Sequence, residues 1–278
     1  MNRILVIDGY NMIHRCRFQW GGGDAEGEFQ IVYNFFRIIK PLLLHFSPDK
    51  VYFTFDGSPV SRLRMFPEYK ANRRRDDPES ADYWASFSRQ KDIIYSLLRK
   101  DFPLTVVGHP DNEADDVIYF VVKNMHFDDD VVVVSSDTDF IQILNEFPNN
   151  VRLWNPIAKK YRENTDYDYV SWKAMVGDRA DNIPGVSRIG KKTASKILNQ
   201  PSELESRLLD ESFRKAYELS YSLIKLADLS SVSSEIVFSD SSFNREKIIE
   251  SFERMGFSSI LDEPYGEEFF KVFEDLLR

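Results

Sequence analysis

The residues in this sequence best suited to chemistry are acids that follow predicted strands. Asp8 follows the apolar run ILVI, Asp56 follows VYFTF, and Asp137 and Asp139 come shortly after VVVV. A single Asp in such a position is often only a turn residue or a helix N-cap. In an open parallel sheet, however, the carboxyl ends of the strands lie at one edge, where ligands bind. The sequence therefore predicts that these four carboxylates meet there.

Two further segments add acids to this edge. EADD supplies Glu113, Asp115 and Asp116 at the start of a predicted helix, where acids often only complement the helix dipole, and GDRAD supplies Asp178 and Asp181. So many converging carboxylates, without lysine partners, need shared protons or cations to relieve their repulsion. Oxygen ligands favour Mg²⁺ or Mn²⁺ over zinc. Two such ions about 4 Å apart activate water and stabilise a phosphoryl-transfer transition state, so we infer a two-metal phosphodiesterase site.

The apolar segments that must position these acids indicate an α/β fold. Near-continuous apolar strands that alternate with helices are typical of a mostly parallel central sheet flanked by helices on both faces. The predicted strands are Ile4–Ile7, Val51–Phe55, Leu104–Val107, Val131–Val134 and Val151–Trp154. The predicted helices are Phe29–Phe46, Ser86–Arg99, Glu113–Met125, Phe140–Asn145, Ser171–Val176 and Lys192–Asn199.

The domain organisation follows from where the strand pattern fades. We expect an α/β core over residues 1–175 and a helical region with a C-terminal tail over residues 176–278. Ser230–Ser242, which is rich in serine, is interpreted as a loop with a short apolar insertion. The tail, Tyr265–Arg278, has apolar residues at helical spacing, which usually means packing on its own domain. The less favoured alternative is docking of a sliding clamp or a single-strand-binding protein.

Composition and charge limit the remaining possibilities. The chain has 278 residues, 42% of them hydrophobic, and one cysteine, which excludes an intramolecular disulfide and a Cys-rich zinc site. No apolar run reaches the roughly 18 residues that a membrane span needs, so we expect a soluble intracellular monomer. The net charge of −9 would ordinarily disfavour a nucleic acid partner. Basic residues are nevertheless concentrated between Arg62 and Arg75, which contains six of them and one acid, Glu68.

Taken together, the motifs resemble a known family. DGYN, FDG, EADD, SSDTDF and GDRADNIPGVSRIGKKTA occur in the order seen in the 5′-nuclease superfamily of flap endonucleases and 5′→3′ exonucleases. YKANR, SSDTDFIQIL and LWNPIAKKY most resemble the bacteriophage-type enzymes, including the phage ribonuclease H. The resemblance implies a PIN-like nuclease core with a helical helix–hairpin–helix DNA-binding region. It also implies a Mg²⁺-dependent nuclease that removes primers and trims 5′ flaps in DNA or RNA–DNA duplexes, in the cytoplasm of a bacterium or a phage-infected host.

The resemblance also assigns roles to the acids. Those expected around one Mg²⁺ ion are Asp8, Asp56, Glu113 and Asp115, and those expected around a second are Asp137, Asp139 and Asp178. Asp116 and Asp181 would make nearby or water-mediated contacts. Mn²⁺ is expected to substitute for Mg²⁺.

The basic segment Met65–Arg75 resembles part of the family's helical arch, expected at about residues 60–90. Lys70 and Arg73, three residues apart on one helical face, could neutralise the scissile phosphate, and Tyr69 could stack on an unpaired base. The other arginines, Arg62, Arg64, Arg74 and Arg75, are either solvated or in loose contact with phosphates.

Asn182–Lys196 resembles the family's helix–hairpin–helix, which presents N–H groups to duplex phosphates, often through a monovalent cation such as K⁺. The residues that fit this role are Gly185, Gly190, Lys191, Lys192 and Thr193. Arg188 stands where relatives often carry glycine. If the position requires a positive φ, arginine is costly there and the turn is altered; alternatively, the side chain reaches a phosphate.

Two other functions remain open from the sequence. One is a non-catalytic junction-binding replication protein, which the large acidic set disfavours. The other is a PIN-type ribonuclease with a similar acidic core, against which Asn182–Lys196 favours duplex DNA.

Overall fold

The centre of the molecule is a seven-stranded sheet in the order β6-β5-β4-β1-β2-β3-β7. The computed structural model describes residues 1–18, 27–73, 78–240 and 242–278. Strands β1 to β5 are mutually parallel, whereas the edge strands β6 and β7 are antiparallel to their neighbours. The strands are β1 (Arg3–Ile7), β2 (Lys50–Phe55), β3 (Thr105–Gly108), β4 (Asp130–Val134), β5 (Val151–Asn155), β6 (Lys160–Arg162) and β7 (Val237–Asp240).

Helices connect the strands and cover both faces of the sheet. Those of the core are α1 (Gly9–Arg15), α2 (Gln30–Phe46), α3 (Val60–Met65), α4 (Pro78–Lys100), α5 (Ala114–Phe120), continued by a π-helical turn over Val121–Met125, and α6 (Ile141–Glu146). They are followed by α7 (Tyr169–Val176), α8 (Lys191–Leu198), α9 (Pro201–Leu208), α10 (Glu211–Ile224), α11 (Arg245–Arg254), α12 (Ser258–Leu261) and α13 (Tyr265–Glu274). None of the helices in the described ranges is long and apolar enough to cross a membrane.

Burial on both faces of the sheet confirms the predicted fold class. Successive residues of a strand point to opposite faces. In β1, Leu5 and Ile7 belong to one hydrophobic cluster and Ile4 and Val6 to the other. The four valines of Val131–Val134 are all at most 1% exposed, which is why their run contains no polar residue.

The serine-rich segment expected to be a loop instead contributes to the sheet. Val237–Asp240 forms β7, which pairs with β3, and a 3₁₀ helix over Ser230–Glu235 precedes it. The strand has four residues and its first two, Val237 and Phe238, are 48% and 40% exposed. A short, half-exposed edge strand has no continuous apolar pattern, so periodicity does not reveal it.

The helical region forms its own hydrophobic cluster, and the chain then returns to the core. Apolar side chains of α7, α8 and α10 pack together, and Tyr69 from the core joins them. After α10 the chain supplies β7 to the sheet, and α11 to α13 pack against the cluster that contains α2. The structure thus places Val237–Asp240 and helices α11 to α13 on the core, whereas the sequence predicted that they belong to the helical region and its C-terminal tail.

The C-terminal tail packs within its own chain, as the favoured interpretation expected, but it packs on the α/β core and not on the helical region. Phe269 and Phe273 on α13 are 0% exposed, and the rings of Phe102 and Phe273 are 4.8 Å apart between centroids. Edge-to-face aromatic pairs of this kind add to the free energy gained by burial.

We predict that Phe269→Ala lowers the free energy of unfolding by about 3–5 kcal/mol, because it leaves a cavity in this aromatic cluster. Urea denaturation followed by circular dichroism measures the effect. The matched control is Leu277→Ala, in the same tail, because Leu277 is 60% exposed; its effect is expected to stay within about 0.5 kcal/mol. Equal effects of the two variants would show that α13 is not part of the core.

Candidate active site

Carboxylates from distant parts of the chain line a single cavity at the carboxyl edge of the parallel strands. The cavity has a volume of about 1030 Å³. Its acidic lining comes from the ends of β1, β2 and β4, the start of α5 and the loop after α7: Asp8, Asp56, Glu113, Asp115, Asp137 and Asp181. Three of the four predicted strand-end acids, Asp8, Asp56 and Asp137, therefore meet in this cavity, whereas Asp139, like Asp178, is not among its lining residues.

Glycines directly after two of these acids allow neighbouring backbone segments to pack in close contact beside the cavity. A Cβ on Gly9 would lie 2.0 Å from the carbonyl oxygen of Thr54, and one on Gly57 would lie 2.0 Å from the carbonyl oxygen of His109. Both distances are shorter than any real contact. The Asp-Gly pairs are thus required where the chain leaves β1 and β2, in addition to any role of the carboxylates.

Hydrogen bonds from neighbouring elements fix the orientation of the strand-end carboxylates. Asp8 accepts from the hydroxyl of Ser135 at 2.7 Å and from the amide of Asn11 at 3.1 Å. Asp56 accepts from the amide of Ala114 at 2.9 Å, which joins the end of β2 to the start of α5. These bonds hold the carboxylates in place before any ligand binds.

Desolvation and mutual repulsion raise the pKa of several of these acids. Burial raises the pKa of Asp8 to about 7, despite the hydrogen bond from Ser135, and the negative charges of Asp56 and Asp137 add to the shift. Burial also raises the pKa of Asp115 well above its usual range, again with a contribution from Asp137. Desolvation raises the pKa of Asp56 too, although this carboxylate is open to the cavity. The cavity therefore favours bound protons or cations over bare negative charge.

Lysines lie among the carboxylates, so the expectation that they lack lysine partners is wrong. Lys173 is 7% exposed, and its ammonium contacts Asp139 and lies 2.7 Å from Oδ2 of Asp178. The ammonium of Lys70 contacts Glu113 and lies 3.7 Å from Oδ2 of Asp181. Lys173 was missed because it lies in YVSWKAMV, which has no charge pattern; one lysine within an otherwise uncharged, buried helix was the signal that could have revealed it.

These lysines divide the acids into two electrostatic groups. Burial alone would raise the pKa of Glu113, but the charges of Lys70 and Arg62 outweigh it and lower that pKa. The same competition, with Lys173 as the cation, lowers the pKa of Asp178. Burial prevails at Asp139 and raises its pKa to about 6, although Lys173 opposes the shift. Some carboxylates are thus held ionised, whereas others bind a proton at a higher pH than an ordinary aspartate does.

The donor set fits a hard divalent cation, although no finished cage is present. In the described part of the chain, no three acidic, His or Cys side chains are already arranged around one metal position. The carboxylates that could hold an ion without first giving up a lysine contact are Asp8, Asp56, Asp115 and Asp137, which line one cavity and offer oxygen alone. The raised proton affinity of Asp8, Asp56 and Asp115 is the counterpart of an affinity for cations.

Asp116 differs from the other acids, and the structure does not place it at the cavity. It is 0% exposed, and its Oδ1 accepts from Arg62 at 2.8 Å and from the amide of Ala227 at 2.8 Å. Arg62 also donates to Glu113 at 3.0 Å and to the carbonyl of Leu223 at 3.0 Å. Asp116 therefore forms a buried ion pair with Arg62, whereas the sequence predicted that it would lie near a metal ion. The expectation that Arg62 is solvated or in loose contact with phosphates is wrong as well, because this side chain is 6% exposed.

The segment expected to be the arch reaches the cavity, but not as a regular helix. Lys70 has a φ of 56° and precedes a short 3₁₀ helix over Ala71–Arg73, so Lys70 and Arg73 do not share a helical face. Both side chains nevertheless contact the cavity's carboxylates, Arg73 through Asp181. Arg74 and Arg75 lie outside the described residues.

Tyr69 is buried and does not offer its ring for stacking. It is 5% exposed, and its hydroxyl donates to Oε2 of Glu113 at 3.0 Å. The cavity instead has an aromatic wall of Tyr10, His14 and Trp84, which the sequence analysis did not identify. The rings of His14 and Trp84 are stacked with centroids 6.4 Å apart. The feature of the sequence that could have revealed this wall is Tyr10, directly after the pair Asp8-Gly9.

The segment expected to be part of the arch is attached to the loop that begins the helical region. Asn72 donates to the carbonyl of Arg179 at 2.6 Å, and Asn182 donates to the carbonyl of Glu68 at 2.7 Å. The amide of Lys70 also donates to the carbonyl of Asp181 at 2.9 Å. Residues 66–73 and 178–182 therefore act as one wall of the cavity.

The predicted helix–hairpin–helix residues fall into two groups. Gly185 is buried, and its N–H donates to the hydroxyl of Ser220 at 3.2 Å. This N–H is therefore already engaged, whereas the sequence predicted that it would be offered to a phosphate. Arg188 does have a positive φ, 63°, in the region that favours glycine. Gly190 precedes α8, where the exposed first turn presents the remaining predicted residues: Lys191, Lys192 and Thr193.

We predict that Arg62→Ala lowers the free energy of unfolding by about 3–5 kcal/mol, because it leaves the charge of the buried Asp116 carboxylate without its cationic partner. Arg64→Ala, in the same helix, is the matched control because Arg64 is exposed, and its effect is expected to be within about 0.5 kcal/mol. Urea denaturation of both variants measures the difference. Coincident unfolding curves for the two variants would contradict the buried ion pair.

Comparison with known proteins agrees with this geometry. Residues 3–175 match the N-terminal resolvase-like domain of 5′-3′ exonucleases, and residues 165–254 match their C-terminal SAM fold. DNA polymerase I of Treponema pallidum is 29% identical, over 79% of this chain and 22% of that protein. A 5′-3′ exonuclease of Mycoplasmopsis pulmonis is 27% identical, over 73% of this chain and 68% of that protein. The chain spans about a fifth to a third of the length of the DNA polymerase I relatives that it matches.

Solved structures share the fold over the whole chain. The T5 5′-exonuclease with divalent metal ions (zinc) bound has a TM-score of 0.65 at 21% identity, covering 99% of this chain and 98% of that one. The catalytic core of Rad2 in complex with a DNA substrate has a TM-score of 0.54 at 14% identity, covering 100% of this chain and 92% of that one. With both domain matches covering its core and its helical region, the chain belongs to the 5′-3′ exonuclease family.

Proposed function

We propose that this protein is a structure-specific 5′ nuclease that hydrolyses phosphodiesters of 5′ flaps and of DNA or RNA–DNA duplexes from the 5′ end. The observation that carries the proposal is the single cavity in which strand-end carboxylates face the cations Lys70 and Arg73. Membership of the exonuclease family supports it. The corresponding task is removal of RNA primers and processing of flaps during replication, in the cytoplasm of a bacterium or a phage-infected host.

Two Mg²⁺ ions, which Mn²⁺ could replace, are the proposed cofactors. Bound ions would polarise water and neutralise the charge of the phosphoryl group. Asp8, Asp56, Glu113 and Asp115 would hold one ion, and the second would be held by Asp137, Asp139 and Asp178, with Asp181 nearby. The raised pKa of Asp8 and the carboxylate oxygens that line the cavity support this, and the metal ions bound to the T5 5′-exonuclease are consistent with it.

The protein's own residues would bind and position the nucleic acid. Lys70 and Arg73 can exchange their carboxylate contacts for oxygens of the scissile phosphate. The aromatic wall of Tyr10, His14 and Trp84 lies across the cavity, where unpaired bases could stack. The exposed first turn of α8 offers N–H groups and lysines to duplex phosphates, with K⁺ as a further cation at the turn.

We predict that Asp56→Ala and Asp139→Ala each abolish cleavage but leave junction binding nearly unchanged, because neither side chain is needed to hold duplex phosphates. The assay uses a labelled 5′ flap, an RNA–DNA hybrid and single-stranded RNA, with and without Mg²⁺, and binding is followed by fluorescence anisotropy. Asp128→Ala is the matched control, since Asp128 is exposed and lies outside the cavity lining. Metal-dependent cleavage that persists in both active-site variants would refute the site. Cleavage of single-stranded RNA alone would instead identify a ribonuclease.

We also predict that affinity for Mn²⁺ falls about tenfold or more between pH 8 and pH 6. Metal ligands must be deprotonated, and Asp8, with a pKa of about 7, takes up its proton over this interval.

The pH dependence has the opposite sign for the folding stability of the metal-free protein. Since the pKa of Asp8 is raised in the fold, the native state binds the proton more tightly, and stability falls as pH rises between about 4 and 7.

Isothermal titration calorimetry in two buffers of different ionisation enthalpy measures both the affinity and the protons released. At pH 7 we expect proton release on Mn²⁺ binding. Asp128→Ala, measured in parallel, is expected to reproduce the wild-type pH profile. Equal affinities at pH 6 and pH 8, without proton release, would contradict the assignment of Asp8 as a ligand.

A further inference from the structure

A second cavity, of about 770 Å³, lies between α2 and the end of β5. Its lining contains cationic and aromatic side chains but no Asp or Glu, in a chain whose net charge is −9. Such a lining selects anions that also carry an apolar or aromatic group. The volume is within the usual range of about 300–1,000 Å³ for small-molecule sites.

Three separate elements supply the cations of this cavity. Arg15, at the end of α1, donates to the carbonyl of Pro156 at 2.6 Å, which holds it beside the cavity. Arg37, on α2, has its guanidinium carbon 4.8 Å from the centroid of the Tyr265 ring. Lys159 lies between β5 and β6. Positive charges that line a concavity attract a phosphate more strongly than a row of solvated lysines on an open surface.

The aromatic part of the lining is held rigidly. The ring of Trp154 packs against His45, with centroids 5.1 Å apart, and edge-on against Phe46 at 5.5 Å. Ile38 and Leu42 of α2 continue the apolar surface. A half-buried indole beside aliphatic side chains is a platform on which a nucleobase can stack.

We propose that this cavity binds a nucleotide unit, with its phosphate near Arg15, Arg37 and Lys159 and its base against Trp154. The cavity is separate from the acidic one but close to it. Helix α1 begins directly after Asp8 and ends at Arg15, and its seven residues span about 10 Å. A single strand that passes the carboxylates could therefore reach this cavity within a few nucleotides.

The nucleotide unit could come from a nucleic acid strand or from a free nucleotide. The strand source rests on the proposed nuclease function, whereas binding of a free nucleotide does not. Binding is therefore measured in EDTA, where cleavage is absent, so that failure of this proposal and failure of the proposed nuclease activity are distinguishable.

The experiment titrates the chain of 278 residues with 2′-deoxyadenosine 5′-monophosphate, with inorganic phosphate and with a fluorescein-labelled single-stranded thymidine decamer. We expect Arg37→Glu and Trp154→Leu each to weaken binding of the mononucleotide or the decamer at least about fivefold, as loss of one stacked base or one phosphate contact requires. If the variants bind the mononucleotide more weakly than the wild type does, the cavity is a site for a free nucleotide. If they weaken binding of the decamer alone, the cavity is a site for a nucleic acid strand.

Two controls separate this cavity from the rest of the molecule. Arg254→Glu makes the same charge reversal at an exposed position of α11, outside the cavity lining, and is expected to leave binding unchanged. Arg37 is exposed, so Arg37→Glu keeps the fold even if loss of Trp154 disturbs its packing. The proposal is overturned if Arg37→Glu changes neither ligand's affinity. It is overturned as well if inorganic phosphate binds as tightly as the mononucleotide and a correctly folded Trp154→Leu has no effect.

Discussion

Repulsion between carboxylates crowded at the edge of the sheet is the constraint on which the rest of the structure depends. A parallel sheet brings the ends of β1, β2 and β4 together, and each end carries an acid. In a partly desolvated cavity such charges cannot all be bare, so each must share a proton, contact a protein cation or bind a metal. The raised pKa of Asp8 and the lowered pKa of Glu113 are two solutions of this one problem.

The protein cations that answer the repulsion also join the two parts of the molecule. Lys173 belongs to α7 of the helical region, yet its ammonium lies between Asp139 and Asp178. Arg62 of the core pairs with Asp116 and donates to the carbonyl of Leu223 at the end of α10. Ionic contacts therefore tie the region expected to hold duplex to the edge of the sheet that carries the acids. The contribution of these contacts to stability depends on their burial, because exposed ion pairs contribute little to it.

The sequence predicted those features that depend on a repeating pattern. Buried parallel strands are continuous apolar runs, so β1 to β5 and the acids at their ends were identified within a residue or two. Single long-range contacts have no such pattern. The partners of Asp116, the burial of Tyr69 and the position of Lys173 depend on which residues of remote segments meet, and β7 is too short and too exposed to show alternation. The resemblance to relatives named the acids and the cations Lys70 and Arg73, but not Lys173 or the pairing of Arg62 with Asp116.

The same cations explain how an acidic cavity can accept an acidic substrate. Lys70 and Arg73 contact Glu113 and Asp181 in the structure, and each of these contacts is one that a phosphate oxygen could replace. A phosphate alone would then free two carboxylates beside it, and the repulsion would return. Divalent ions on the carboxylates remove this penalty because they neutralise the acids that the lysine and the arginine leave. Metal and phosphate are thus expected to bind cooperatively, since each relieves the charge that the other exposes.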